Sequence, residues 1–185
     1  MDVITHVIWD LGDTIASQPI GGKDLMPLDH YPEVQLRSGV KDTLNVVSSQ
    51  GYIQAVLSNT AASDSDDIHK LLKWFGVLEF FQFIYATQSE LAHDKPEKPD
   101  PEAFNIVLSA LKAAPEQTVM IGNSWDHDII GANRSGIHSL WLSNVAVSVR
   151  YDSTTCIQCP PWVIPIRDVT DVATAINVLQ NALRV

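Results

Sequence analysis

Four short stretches of this chain carry residues able to do chemistry. They read Asp10-Leu11-Gly12-Asp13-Thr14, then Ser58-Asn59-Thr60, then Lys98-Pro99-Asp100-Pro101, then Gly122-Asn123-Ser124-Trp125-Asp126-His127-Asp128. An acid, a hydroxyl, a lysine and further acids, if they converge, suit phosphoryl chemistry. A carboxylate can attack phosphorus, and a hydroxyl and an ammonium can hold the phosphoryl oxygens. A divalent cation bound by carboxyl and carbonyl oxygens can neutralise charge.

Alternating strands and helices must bring these residues together. Residues 3–9 are apolar and β-branched and end abruptly at Asp10, which predicts a buried strand delivering a carboxylate to its carboxyl end. Residues 52–57, 81–86, 118–121 and 138–142 read as four more strands, and 162–165 as a weaker sixth. Between them, Val40, Leu44 and Val47 share one helical face, with Gly51 as a stop. A cap at Ser63-Asp64 opens a helix with Ile68, Leu71, Leu72 and Phe75 inward, and Asp64, Asp66 and Asp67 are acids of its start. Asp100-Pro101-Glu102 opens a third helix with Phe104, Val107, Leu108 and Leu111 inward, and Val172, Ile176, Leu179 and Leu183 mark the last. This alternation predicts an α/β domain with a doubly wound parallel sheet, whose ligands bind beyond the carboxyl ends of its strands.

The four stretches, in this order, resemble the four motifs of the haloacid dehalogenase-like superfamily of hydrolases. The likeness runs from residue 3 to 142 and includes flanking patterns such as SGVKDTLNVVSSQGYIQAVLSNT and EKPDPEAF. It implies a Rossmann-like core with strand order 3-2-1-4-5 and room for a sixth edge strand. It also implies that Asp10 is a nucleophile that forms an aspartyl-phosphate and a ligand of Mg²⁺, with the backbone carbonyl of Gly12 as a second ligand. Ser58, helped by Thr14, Asn59 and the first loop's amides, would hold the phosphoryl group. Lys98 would pair with Asp10 and the phosphoryl oxygens, and Asn123 and Asp128 stand where the family places metal-binding acids.

Two positions depart from the family pattern. Its phosphatases usually carry a second acid two residues after the nucleophile, where this chain has Gly12. That acid protonates the leaving oxygen, help typically worth ~10²–10⁴ in rate. Asp13 is the neighbouring candidate for the task, although adjacent side chains in an extended loop point in different directions. Asn123 replaces an acid with an amide, which keeps a ligating oxygen but removes a charge.

The expectation is therefore a Mg²⁺-dependent phosphohydrolase working through an aspartyl-phosphate. Two alternatives accompany it. One is a 2-haloacid dehalogenase-type hydrolase, which would use Asp10 without a metal but needs an arginine and an apolar cap; Arg37 is the only arginine in residues 19–38. The other is a weak or non-catalytic domain that binds phosphorylated ligands.

Family members usually carry an inserted cap. Residues 16–38 are too few for a helical one, and 59–98 are filled by a core helix and strand, so a single capless domain over residues 1–185 is expected. Residues 16–38 would form either a small lid hinged at Gly21-Gly22 or a surface crossover held by its prolines. An open site points to large phosphorylated substrates, or to a second copy or partner chain acting as a lid.

Composition narrows the classes further. The 185 residues include 22 acidic and 12 basic ones, for a formal charge of −10. Lys and Arg are scattered, which disfavours nucleic acid. No stretch approaches the ~20 apolar residues of a membrane span, and the N-terminal run leads straight into Asp10, so a cytoplasmic protein is expected. Cys156 and Cys159 lack the further ligands of a zinc site and read as free thiols. His127 should face solvent, Trp125 should wall the site or cover core, and Trp9, Trp74, Trp141 and Trp162 read as packing residues.

Overall fold

The fold is taken from a computed structural model that describes residues 3–143 and 160–184. Six strands form one sheet: β1 (His6–Trp9), β2 (Ile53–Ser58), β3 (Phe83–Ala86), β4 (Thr118–Gly122), β5 (His138–Leu142) and β6 (Val163–Ile166). All pair in parallel, in the order β3-β2-β1-β4-β5-β6. The expected order holds, and the weak sixth run is a true edge strand beside β5.

Alternation along the strands divides the interior into two cores. Val7 and Trp9 of β1 join one apolar cluster with Val56, Val119 and Ile121, and Ile8 joins the other with Ala55, Leu57 and Met120. Helices α1 (Val40–Ser49), α2 (Ser65–Trp74) and α5 (Val172–Leu183) contribute to the first cluster through Leu44, Val47, Ile68, Leu71, Ile176 and Leu179. Helices α3 (Pro101–Leu111) and α4 (Gly131–Arg134) close the second with Phe104, Val107, Leu108 and Ala132. Coverage of both faces is why the central strands read as continuous apolar runs.

The caps lie where the local sequence demands them. Asp64 Oδ1 accepts from Asp67 N at 2.9 Å, and Asp67 Oδ2 accepts from Asp64 N at 3.2 Å. Asp100 accepts from Glu102 N at 2.9 Å, with Pro101 at the first helical position.

One packing expectation fails. Trp9 is fully buried and Trp141 nearly so, but Trp74 is 61% exposed and stacks on Phe75 with centroids 5.6 Å apart. It sits at the end of α2, beyond the edge of the stripe formed by Ile68, Leu71 and Leu72. No helix among the described residues is long and apolar enough to cross a membrane. Cys156 and Cys159 lie outside the described residues.

Between β1 and α1 the chain makes a long arm with one 3₁₀ turn, Leu28–His30. An acid pins it to the loop after β2. The buried Asp24 carboxylate accepts from Ala61 N at 2.7 Å, Ala62 N at 3.0 Å, and Ser63 N and Oγ at 2.9 and 2.8 Å. Ser63 Oγ in turn accepts from Leu28 N at 2.9 Å, and Val34 is fully buried.

Candidate active site

Strand register brings the four stretches to one edge of the sheet. Trp9, the last residue of β1, pairs with Val56 on one side and Ile121 on the other, so β1, β2 and β4 end nearly level. Asp10 follows at once, its amide donating to Ile121 O at 2.8 Å. Lys98 precedes α3, and Asp128 lies in a π-helical turn, Trp125–Ile130, that follows β4.

Three charged side chains meet there. Lys98 Nζ donates to Asp10 Oδ1 at 2.7 Å and to Asp128 Oδ1 at 2.6 Å. All three residues are buried, with Lys98 at 2% and Asp128 at 1% exposure. The remaining oxygens are satisfied as well: Asp10 Oδ2 accepts from Thr14 Oγ1 at 3.1 Å, and Asp128 Oδ2 from Ser124 N at 2.9 Å. Two carboxylates against one ammonium leave the cluster one charge negative. Burial pushes the Asp10 carboxyl up to about 6; Lys98 opposes this and the Asp128 carboxylate adds to it. Burial also works against the Lys98 charge, but its two carboxylates outweigh that and hold it above its ordinary value.

Around the cluster, Asn59 makes the most specific contacts. Asn59 Nδ2 donates to Lys98 O at 2.7 Å while Lys98 N donates to Asn59 Oδ1 at 2.9 Å. Both ends of this carboxamide are thus committed to the Lys98 backbone, and Asn59 fixes where the lysine starts. Ser58 is buried at the end of β2 and, with Gly12, Asn59, Thr60 and Asp24, lines a cleft of about 80 Å³. Asn123 is half-buried, and its carbonyl accepts from Trp141 Nε1 at 3.2 Å. Trp125, also half-buried, meets Trp141 edge-on with centroids 4.9 Å apart. His127 is exposed, its Nδ1 3.0 Å from Ser124 Oγ.

The first loop is the least regular part. The Leu11 carbonyl accepts from Thr14, Ile15 and Ala16, which folds residues 11–16 back on themselves. Asp13 takes a positive φ of 56°, the left-handed region that costs a residue with a Cβ. Its carbonyl accepts from Arg37 Nη1, so the arm's only arginine is engaged with backbone.

Three contributors escape a reading of the sequence. Gly122 is one: a Cβ there would lie 2.3 Å from Asp128 Oδ2, so the missing side chain is the room Asp128 occupies. Asp24 is another, because its partners lie 37 to 39 residues further on. Gln18 is the third, its carboxamide filling the space beside Gly12. The signal for Asp24 is slight: an isolated acid just before an apolar pair, in a stretch without periodicity.

A sequence profile of haloacid dehalogenase-like hydrolases matches residues 24–142. The chain belongs to that family. The matched range holds Ser58, Lys98, Asn123 and Asp128; Asp10 lies ahead of it and joins them through the geometry above. A crystal structure of an uncharacterized protein from Listeria monocytogenes serotype 4b superposes with a TM-score of 0.89 at 46% identity, covering 96% of this chain and 99% of that one. Pyrophosphatase PpaX of Halalkalibacterium halodurans is 32% identical over 108 residues, 58% of this chain and 46% of that protein. Glyceraldehyde 3-phosphate phosphatase of Methanothermobacter thermautotrophicus is 29% identical over 110 residues, 60% of this chain and 46% of that protein. The chain thus spans about half the length of the curated relatives it matches.

Proposed function

We propose that this family member is a phosphohydrolase in which Asp10 takes the phosphoryl group from a phosphorylated substrate. The observation that carries the reading is the buried Asp10–Lys98–Asp128 cluster beside a cleft of mixed polar and apolar lining. Relatives named as a pyrophosphatase and a phosphatase lend it support.

In this reading an Asp10 carboxylate oxygen attacks phosphorus in line, and the bond to the leaving oxygen breaks. Lys98 keeps Asp10 ionised and faces the charge gathering on the phosphoryl oxygens. Ser58 and the amides of the first loop hold those oxygens. Thr14 orients the nucleophile through Asp10 Oδ2, and Asn59 positions Lys98. Water then hydrolyses the aspartyl-phosphate, restoring the Asp10 carboxylate and releasing phosphate.

The donor set fits Mg²⁺, which takes one or two carboxylates and fills its shell with carbonyl oxygens and water. Among the described residues no three acids, histidines or cysteines cluster as a protein-only cage. Asp10 and Asp128 would hold the ion, with the Gly12 carbonyl and the Asn123 amide oxygen as further ligands. When bound, it would neutralise charge on the phosphoryl group and the two carboxylates.

A cap-free site further belongs to this reading: the pinned arm borders the cleft from one side, and large substrates or a second chain would cover the rest. The experiment is turnover of a panel of aryl and natural phosphates by the full chain with Mg²⁺. Activity should vanish in Asp10→Asn, and a wild type no faster than that variant would sink the proposal.

A further inference from the structure

Position 12, two residues past Asp10, is a glycine, and another part of the chain fills the space beside it. A Cβ on Gly12 would lie 3.3 Å from Gln18 Nε2, 3.5 Å from its Cγ and 3.8 Å from its Cδ. On the far side, a Cβ on Gly22 would lie 3.5 Å from Gln18 Oε1. The carboxamide therefore spans the gap between two glycines, its nitrogen towards the first loop and its oxygen towards the arm.

Both ends of the segment carrying Gln18 are tied down. Before it, Ser17 N donates to Gln35 O at 2.9 Å, and Ser17 Oγ accepts from Gln35 N at 3.0 Å. After it, Gly22 N donates to Pro19 O at 2.9 Å, and Asp24 is locked to residues 61–63. Gln18 lines the same cleft as Gly12, Ser58, Asn59 and Thr60. A carboxamide offers two N–H donors and one acceptor but has no proton to give up near neutral pH.

We propose that Gln18 meets the leaving group in place of an acid, and so confines this site to phosphoryl donors whose leaving group departs as a stable anion. Acyl phosphates, phosphoanhydrides and aryl phosphates form that class. The inference rests on the phosphohydrolase reading and deepens it. Asp10 forms the new bond to phosphorus, and the bond from phosphorus to the leaving oxygen breaks with its electron pair going to that oxygen. The departing anion is hydrogen-bonded by the Gln18 N–H, which keeps its protons, and solvent water supplies any proton the product takes up. Alkyl phosphates, which leave as strongly basic alkoxides, forgo the ~10²–10⁴ that an acid would add.

The test is kcat/KM with Mg²⁺ for acetyl phosphate, a graded series of aryl phosphates and an alkyl phosphate. It compares the full-length wild type with Gln18→Ala, Gln18→Glu and Asp10→Asn. Wild type should favour acetyl phosphate over the alkyl ester by at least ~10²-fold. Gln18→Ala should lower the acetyl phosphate rate by about 3- to 10-fold, the worth of one neutral hydrogen bond. Gln18→Glu should raise the alkyl phosphate rate by ~10-fold or more and add a decline at high pH that wild type lacks. Gln18 is exposed, so neither variant disturbs the core. Wild-type rates insensitive to the leaving group, or Gln18 variants that track wild type across the series, would overturn the proposal while leaving the phosphohydrolase intact. Acetyl phosphate turnover no faster than Asp10→Asn would overturn both.

Discussion

Lys98 Nζ stands 2.7 Å from Asp10 Oδ1 although 88 residues separate the two, and the same ammonium reaches Asp128 at 2.6 Å. Among the described residues no other cation pairs with either carboxylate in this buried cluster, so the lysine offsets both charges. Removing it and removing Asp10 should therefore have opposite consequences. Lys98→Met leaves two buried carboxylates facing each other and should cost about 3–5 kcal/mol at pH 8. Asp10→Asn leaves a neutral Lys98–Asp128 pair and removes a buried charge, so in metal-free protein at pH 8 it should raise stability by on the order of 3 kcal/mol while abolishing turnover. Urea unfolding of the two variants checks this, and equal destabilisation would contradict it.

The Asp10 carboxyl supplies a pH signature. Its value of about 6 in the folded protein lies above its ordinary 3.8, so the folded state binds the proton more tightly than the unfolded one does. Asp10 favours folding most below pH 3.8, and that advantage falls as pH rises through the window from 3.8 to 6. By pH 7 it amounts to a loss on the order of 3 kcal/mol. Asp67 and Asp168, whose pKa values are lowered, act below this window, and Lys98, whose pKa is raised, acts far above it. The unfolding free energy of metal-free wild type minus that of Asp10→Asn, measured in EDTA from pH 3.5 to 8, should decline across the window. A flat difference would remove Asp10 as the titrating group.

Asp24 ties the arm to the loop after β2 by four hydrogen bonds from Ala61, Ala62 and Ser63. Asp24→Ala strands three backbone donors near the start of α2 and should cost roughly 2–4 kcal/mol. The arm should come loose before the sheet does. Limited proteolysis should cut within residues 17–36 much faster in the variant than in wild type, and KM should rise more than kcat falls. Protection equal to wild type would mean that Leu28 and Val34 hold the arm unaided.

The contrast between Asp64 and Asp24 shows where a sequence stops being legible. Asp64 caps a helix that begins one residue later, so its role follows from local spacing, as do the Asp100 cap and the apolar runs ending at Asp10 and Ser58. Asp24, Asn59 and Gln18 act across the fold, on residues 61–63, on the Lys98 backbone and beside Gly12. No periodicity announces such pairings, because they depend on how an irregular arm lies over the sheet. Trp74 went astray for a related reason: its type favours burial, but its angular position on α2 falls outside the stripe that faces the core.

Gly122 offers a last and sharper check, since it touches the site only through empty space. It ends β4 and faces Asp128, whose Oδ2, Cγ and Cβ would lie 2.3, 2.4 and 2.6 Å from a Cβ at that position. These separations are far inside contact distance, so Gly122→Ala must push the Asp128 side chain away from Lys98 and Ser124. The displaced carboxylate leaves the Ser124 amide without its acceptor and Lys98 with one partner instead of two. Stability should fall by about 2–4 kcal/mol, the range for overpacking with a lost buried hydrogen bond. Mg²⁺ affinity should drop together with turnover. Asp128→Asn separates the two effects, because it removes the charge without moving the backbone and should lower Mg²⁺ affinity with a smaller stability loss. Calorimetric Mg²⁺ titration of both variants checks this, and wild-type affinity in Gly122→Ala would show that Asp128 does not need the space the glycine provides.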